Sequence, residues 1–136
     1  MSTLNWNASL ELDFAPIDDL HRLLVTQMAH VEDCDDATLA HEWAKLVDCA
    51  QALFEREDNW MNTTHFANAP NHSLQHRVVL NLLREGLGMA RAGESDRVRA
   101  MSVELAHWLS KHIQSLDAAL ALHLRGHPEA CQPVLH

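Results

Sequence analysis

Residues 37–64 read ATLAHEWAKLVDCAQALFEREDNWMNTT. Leu39, Trp43, Leu46, Ala50, Leu53, Glu57 and Met61 follow one another at intervals of three and four. That is the period of one face of an α-helix. Thr63-Thr64 and the segment HFANAP at 65–70 end the pattern. One member of the apolar row is charged. Glu57 lies four after Leu53 and four before Met61, so it faces inward with them. A buried carboxylate is costly without a partner.

Three more segments repeat the design. Over 17–32, Leu20, Leu24 and Met28 recur at helical spacing, with Leu23 and Val31 beside them. The cluster DCDDAT at 33–38 breaks this helix, and Asp35 or Asp36 can cap the next. Over 71–91, Asn71 is the expected N-cap, and Val78, Val79, Leu82, Leu83 and Leu87 supply the apolar face. Gly93 stops that helix and Ser95 caps a fourth over 96–124, with Val98, Met101, Leu105, Leu109, Leu116 and Leu120 facing in. Gly126 and Pro128 end it, before a tail at 127–136. No stretch alternates with period two, so a strand-rich fold is excluded. Four amphipathic helices with short connections predict an all-α, antiparallel up-down-up-down bundle. Residues 1–16 form an irregular arm ahead of it, anchored by Trp6 and Phe14. At roughly 100–200 residues per domain, residues 1–136 are expected to form one domain.

The composition narrows the function. Lys plus Arg number 10 and Asp plus Glu 19, a formal charge of −9. Such a surface repels phosphate, which argues against nucleic acid or an anionic membrane as partner. No apolar run approaches the roughly 18–20 residues of a membrane span. The N-terminus has no basic region followed by an apolar block. The 3 cysteines, Cys34, Cys49 and Cys131, are not a disulfide framework. A reduced, cytoplasmic setting is expected. The unusual count is histidine, at 11, more than Lys and Arg together.

Several of these histidines fall on apolar faces. His21 follows Leu20 and precedes Leu24 by three. His72 and His76 are four apart, so both project from one helix face. His112 lies three after Leu109. Asp117 is five beyond His112, which on an ideal helix at ~100° per residue turns it about 140° away. A π-bulge between them would bring both to one site. Imidazoles and carboxylates donated at compatible depth by four helices share one economical partner, a cation in the bundle core. Glutamate and histidine from facing helices are the ligands of carboxylate-bridged di-iron sites. Nitrogen and oxygen donors suit Fe, Mn or Zn better than Mg or Ca.

The segments IDDLH (17–21), FEREDNWM (54–61), HSLQH (72–76) and WLSKHIQSLD (108–117) resemble, in order and spacing, the pattern of the hemerythrin family, over about residues 4–124. Trp6 sits where bacterial hemerythrin-like domains carry an N-terminal tryptophan. The resemblance implies the four-helix bundle already reached. It also implies two irons held by five histidines and two bridging carboxylates, with reversible O2 binding. Carried over, His72, His76 and His112 hold one iron, His21 the other, and Glu57 and Asp117 bridge them.

The family motif at the second helix reads H-F-x-x-E-E, whereas here Leu53 precedes Phe54, Glu57 and Asp58. Leucine cannot ligate a metal. His41 and His65 are each about 18 Å from Leu53 along a helix that rises about 1.5 Å per residue, so neither is an obvious substitute. The iron nearest His21 is then open, weakly held, completed by water or an added ligand, or absent. Three functions compete: a non-haem iron module that carries or senses O2, NO or a related diatomic; a ferroxidase or peroxidase-like centre; and a single-metal Fe or Zn module without reversible O2 binding. The first carries the family's weight, and Leu53 shifts weight to the third. No nucleophile motif or phosphate loop marks an enzyme with an organic substrate. The output of a sensor is expected in a separate protein.

Trp43, Trp60 and Trp108 read as bundle packing, with Trp60 able to help line a small-molecule pocket. His30, His41, His65, His107, His123, His127 and His136 read as surface residues. The acidic run 32–36 lacks the glycine and terminal glutamate of a calcium loop and reads as a solvated cap.

Overall fold

A computed structural model describes residues 4–131 of the chain; the side chain of Cys131, the end of the tail and His136 lie outside the described residues. The helices are α1 (Ala15–Asp33), α2 (Leu39–Thr63), α3 (Ala69–Arg91) and α4 (Ser95–His112). A π-helical turn, Ile113–Asp117, follows α4 and runs directly into α5 (Ala118–Arg125). The backbone stays right-handed helical at Ile113 and Ala118, so α4, the π turn and α5 make one continuous rod. No strand occurs among the described residues. Consecutive helices pack on one another, and α1 packs back on α4, which closes an antiparallel four-helix bundle. Among the described residues no helix is long and apolar enough to cross a membrane.

The helix starts differ from the sequence reading. Pro16 and Pro70 lie in the first turns of α1 and α3, where a missing N–H is no loss. α3 therefore begins ahead of Asn71, and Asn68 is its cap residue. Glu94, not Ser95, holds the cap position of α4. Thr38 caps α2 without a side-chain bond, while Asp35 accepts from the Thr38 N–H in the preceding turn at 3.0 Å. Asp36 pairs instead with Arg99 of α4 at 2.9 Å. The buried Asp18 carboxylate accepts from the backbone N–H of Leu12 and Phe14, which ties the arm to α1. The arm is not wholly irregular, since Ala8–Leu10 form a 3-10 turn and Leu10 is fully buried. Trp6 and Phe14 both pack against the apolar core, as the sequence reading had it.

The inward faces are narrower than the apolar residues suggest. On α3, Val79 and Leu83 are buried, but Val78 and Leu82 are 52% and 46% exposed. The buried stripe runs His72, His76, Val79, Leu83, Gly86, at helical spacing, and Val78 and Leu82 fall off its edge. Leu23 of α1 is likewise exposed. One apolar cluster includes Leu24, Met28, Trp43, Leu46, Leu53 and Leu109. A second gathers Ile17, Trp60, Met61, Leu120 and Leu124. In sequence, His21, Glu57, the pair His72 and His76, and Asp117 each fall between residues of the first cluster and residues of the second.

Gly86 marks the tightest approach. A Cβ there would lie 2.7 Å from Trp43 Cζ2 and 2.8 Å from Met101 Sδ. The indole cannot easily yield, because its N–H donates to the Leu83 carbonyl at 2.7 Å. Gly86→Ala is therefore expected to destabilise by about 1–3 kcal/mol despite alanine's better helix propensity. Gly88→Ala, where a Cβ meets nothing within 4 Å, is expected to stabilise by up to about 1 kcal/mol. Denaturant unfolding of the two variants checks the contrast, and equal midpoints would remove the packing argument.

Candidate metal centre

The six polar residues picked from the sequence converge. His21 comes from α1, Glu57 from α2, His72 and His76 from α3, His112 from the end of α4 and Asp117 from the end of the π turn. All six are at most 3% exposed. The π turn solves the phase problem between His112 and Asp117. Its i→i+5 pattern takes one more residue per turn than an α-helix and brings positions five apart to one side.

The two carboxylates divide their oxygens. Glu57 Oε1 faces His76 Nε2 at 3.1 Å and His72 Nε2 at 3.8 Å, while Oε2 faces His21 Nε2 at 3.3 Å. Asp117 Oδ1 faces His72 Nε2 at 3.0 Å and His112 Nε2 at 3.3 Å, while Oδ2 faces His21 Nε2 at 3.0 Å. Glu57, His72, His76, His112 and Asp117 each offer a donor atom within 4.8 Å of all the others. His21 stands apart from that group, across both carboxylates.

These contacts are short, yet both oxygens of Glu57, both oxygens of Asp117, and Nε2 of His21 and His76 lack an aligned hydrogen bond. Buried polar atoms are nearly always hydrogen-bonded. Donor atoms that approach without pairing are aimed at a common point, and a cation satisfies them together. Three imidazoles and two carboxylate oxygens fit iron or zinc.

The charges agree with that chemistry. Burial pushes the Asp117 carboxyl up, but the imidazoles of His112, His21 and His72 overcome it and hold the group well below the usual carboxylate range. Burial lowers His21, and the carboxylates of Asp117 and Glu57 outweigh it and raise the imidazole to about 10. His76 behaves alike: burial lowers it, then Asp58 and Glu57 raise it to about 9.

The sequence reading missed the residues that hold these imidazoles. Asp58 accepts from His76 Nδ1 at 2.9 Å and from Ser73 Oγ at 2.9 Å. Phe54 lies flat on the His76 ring, 4.2 Å between centroids and 6° between planes. Trp108 stacks on His112 at 4.4 Å, so it is a wall of the site as well as packing. The available signal was position: Phe54 and Asp58 flank Glu57 inside the segment that carries the resemblance. Trp60 lies in the second apolar cluster, with Arg56 over its ring, and is not among these walls.

Leu53, one turn before Glu57, is 1% exposed and part of the first apolar cluster. His41 and His65 are both exposed, so neither replaces a ligand there. His123 and His127 were read as surface residues but are half-buried. His123 contacts Thr64 Oγ1 at 2.9 Å and leans on Phe66. Cys34 and Cys49 are free thiols.

Fold and site together define a four-helix bundle with a buried imidazole–carboxylate centre. No model of a known protein family matches the chain. It is 26% identical over 117 residues to a bacteriohemerythrin of Ralstonia nicotianae, covering 86% of this chain and 85% of that one. It is 26% identical over 133 residues to a bacteriohemerythrin of Stenotrophomonas maltophilia, covering 93% and 85%. A crystal structure of wild-type hemerythrin superposes with a TM-score of 0.81 at 18% identity, over 89% of this chain and 97% of that one. A hemerythrin variant superposes with a TM-score of 0.83 at the same identity, over 91% and 98%. The structural likeness is one of fold. With the curated relatives it makes this chain similar to the hemerythrins.

Proposed function

We propose that this chain, as one domain, binds non-haem iron, as a pair or with one position partly occupied, at His21, Glu57, His72, His76, His112 and Asp117 and takes O2, NO or a related small molecule there, as carrier or sensor rather than enzyme. The observation that carries the reading is the division of the carboxylates. Each gives one oxygen to the three-histidine side and the other to His21, as two bridges between two ions would. Iron supplies a reducible centre for a diatomic ligand. The protein's part is to hold the donors in place and keep water out. Phe54 and Trp108 cover two of the imidazoles with aromatic faces, and they meet edge to face at 6.4 Å.

A second reading is favoured by Leu53: a single Fe or Zn on the three-histidine side, with no reversible O2 binding. Metal analysis of freshly purified protein, with anomalous diffraction at the Fe and Zn edges, decides between them. Iron that takes up and releases O2 or NO reversibly supports the first reading. A single Fe or Zn per chain with no reversible uptake supports the second. Failure to hold any transition metal after anaerobic Fe(II) loading defeats both.

Metal binding should also depend on pH. Ligation needs neutral imidazoles, and His21 and His76 are protonated below about 10 and about 9. The proton must leave when the ion enters, so affinity is expected to rise with pH until those values are passed. Calorimetry with Zn(II) in buffers of different ionisation enthalpy should show proton release near neutral pH; release of none would contradict the charge assignment.

A further inference from the structure

We propose that Asp58 is a positioning residue whose carboxylate fixes and polarises His76, making the three-histidine side the tighter half of the centre and the more readily oxidised one. The inference rests on the iron-binding reading above. Asp58 is an acceptor only, so the hydrogen on the short contact sits on His76 Nδ1. Once the entering ion displaces the second proton, the Nε2 lone pair is the one directed at the cluster, beside Glu57 Oε1. A carboxylate on the far nitrogen sets the tautomer, holds the ring and raises its donor strength.

The arrangement is particular to this imidazole. Among the described residues, Nδ1 of His21, His72 and His112 has no hydrogen-bond partner. His76 is gripped twice from one helix, with Phe54 on its face and Asp58, one turn later, on its edge. Ser73, one turn before His76 on α3, donates to the same Asp58 oxygen and keeps it from swinging away. Asp58 is also 32% exposed, at an indentation of about 100 Å³ lined by His76, Arg77 and Arg84. The negative charge thus stands on the solvent side of a buried ligand, where it favours the more positive metal.

Two variants separate hydrogen bond from charge. Asp58→Asn keeps an acceptor oxygen and loses the charge, while Asp58→Ala loses both. Zn(II) affinity is read by competition with a chromophoric chelator, and the reduction potential is read on iron-loaded protein. Asp58→Ala is expected to weaken Zn(II) binding about 10–100-fold, and Asp58→Asn by less. Both should shift the potential to more positive values, a change that loss of packing alone does not produce. Should the alanine variant fail to fold, the potential of Asp58→Asn decides. Unchanged affinity and potential, in variants of a parent that binds metal tightly, overturn the role of Asp58. A parent that binds neither Zn(II) nor Fe(II) defeats the iron-binding reading, and this inference with it.

Discussion

Leu53→His is expected to raise iron content from about one toward about two ions per chain and to bring in the charge-transfer absorption of a coupled iron pair. Leu53 is buried one turn before Glu57 on the face that carries it. By the resemblance to the hemerythrin pattern, an imidazole there would add a neutral donor on the side where His21 offers a nitrogen. Without it, His21 together with the facing oxygens of Glu57 and Asp117 would be the donors left to hold an ion on that side. Anionic oxygen donors favour the oxidised state, and reversible O2 binding needs a reducible pair. The unmodified protein is therefore expected to hold fewer than two ions and to show no stable oxygenated form in air. Metal analysis and absorption spectra of both proteins, loaded anaerobically with Fe(II), test this. If the unmodified protein holds two irons and cycles reversibly with O2, a donor other than a histidine at this position completes the site.

His76→Ala is expected to abolish tight metal binding. Loss of a partner one bond away from a ligand typically costs 10–100-fold in affinity, and loss of the ligand itself should cost at least the upper end, about 100-fold. The change also releases Asp58 and leaves Phe54 without its stacked partner. Exposed His107 makes a suitable control, whereas His123 does not, because it contacts Thr64. His107→Ala should retain parental metal content. Equal loss in both variants would place the metal elsewhere.

The bundle was legible because helical period is a local property of the chain. The row from Leu39 to Met61 needs no tertiary knowledge to be read. The six convergent residues were legible for the same reason, since a charged or imidazole residue in an apolar stripe stands out against it. Even the misfit at Asp117 was informative: five residues do not close an α-helical turn, and a π turn is found there. What stayed hidden depends on neighbours. Val78 and Leu82 are as apolar as Val79 and Leu83, and only packing against other helices decides which are covered. Asp58 looks like a solvated acid beside Glu57 until α3 brings Ser73 and His76 against it. The caps went astray at Asn71 because Pro70 belongs inside the first turn of α3 and not before it.

The π turn binds two parts of the molecule to one count of residues. Upstream of it, the rod delivers His112 to the centre; downstream, it delivers Leu120 and Leu124 to the apolar floor beneath. Dropping one residue between 113 and 116 would turn everything beyond by about 100°, swinging Asp117 off the cluster and the two leucines off the floor together. The length of the rod between His112 and Leu120 is therefore locked from both ends.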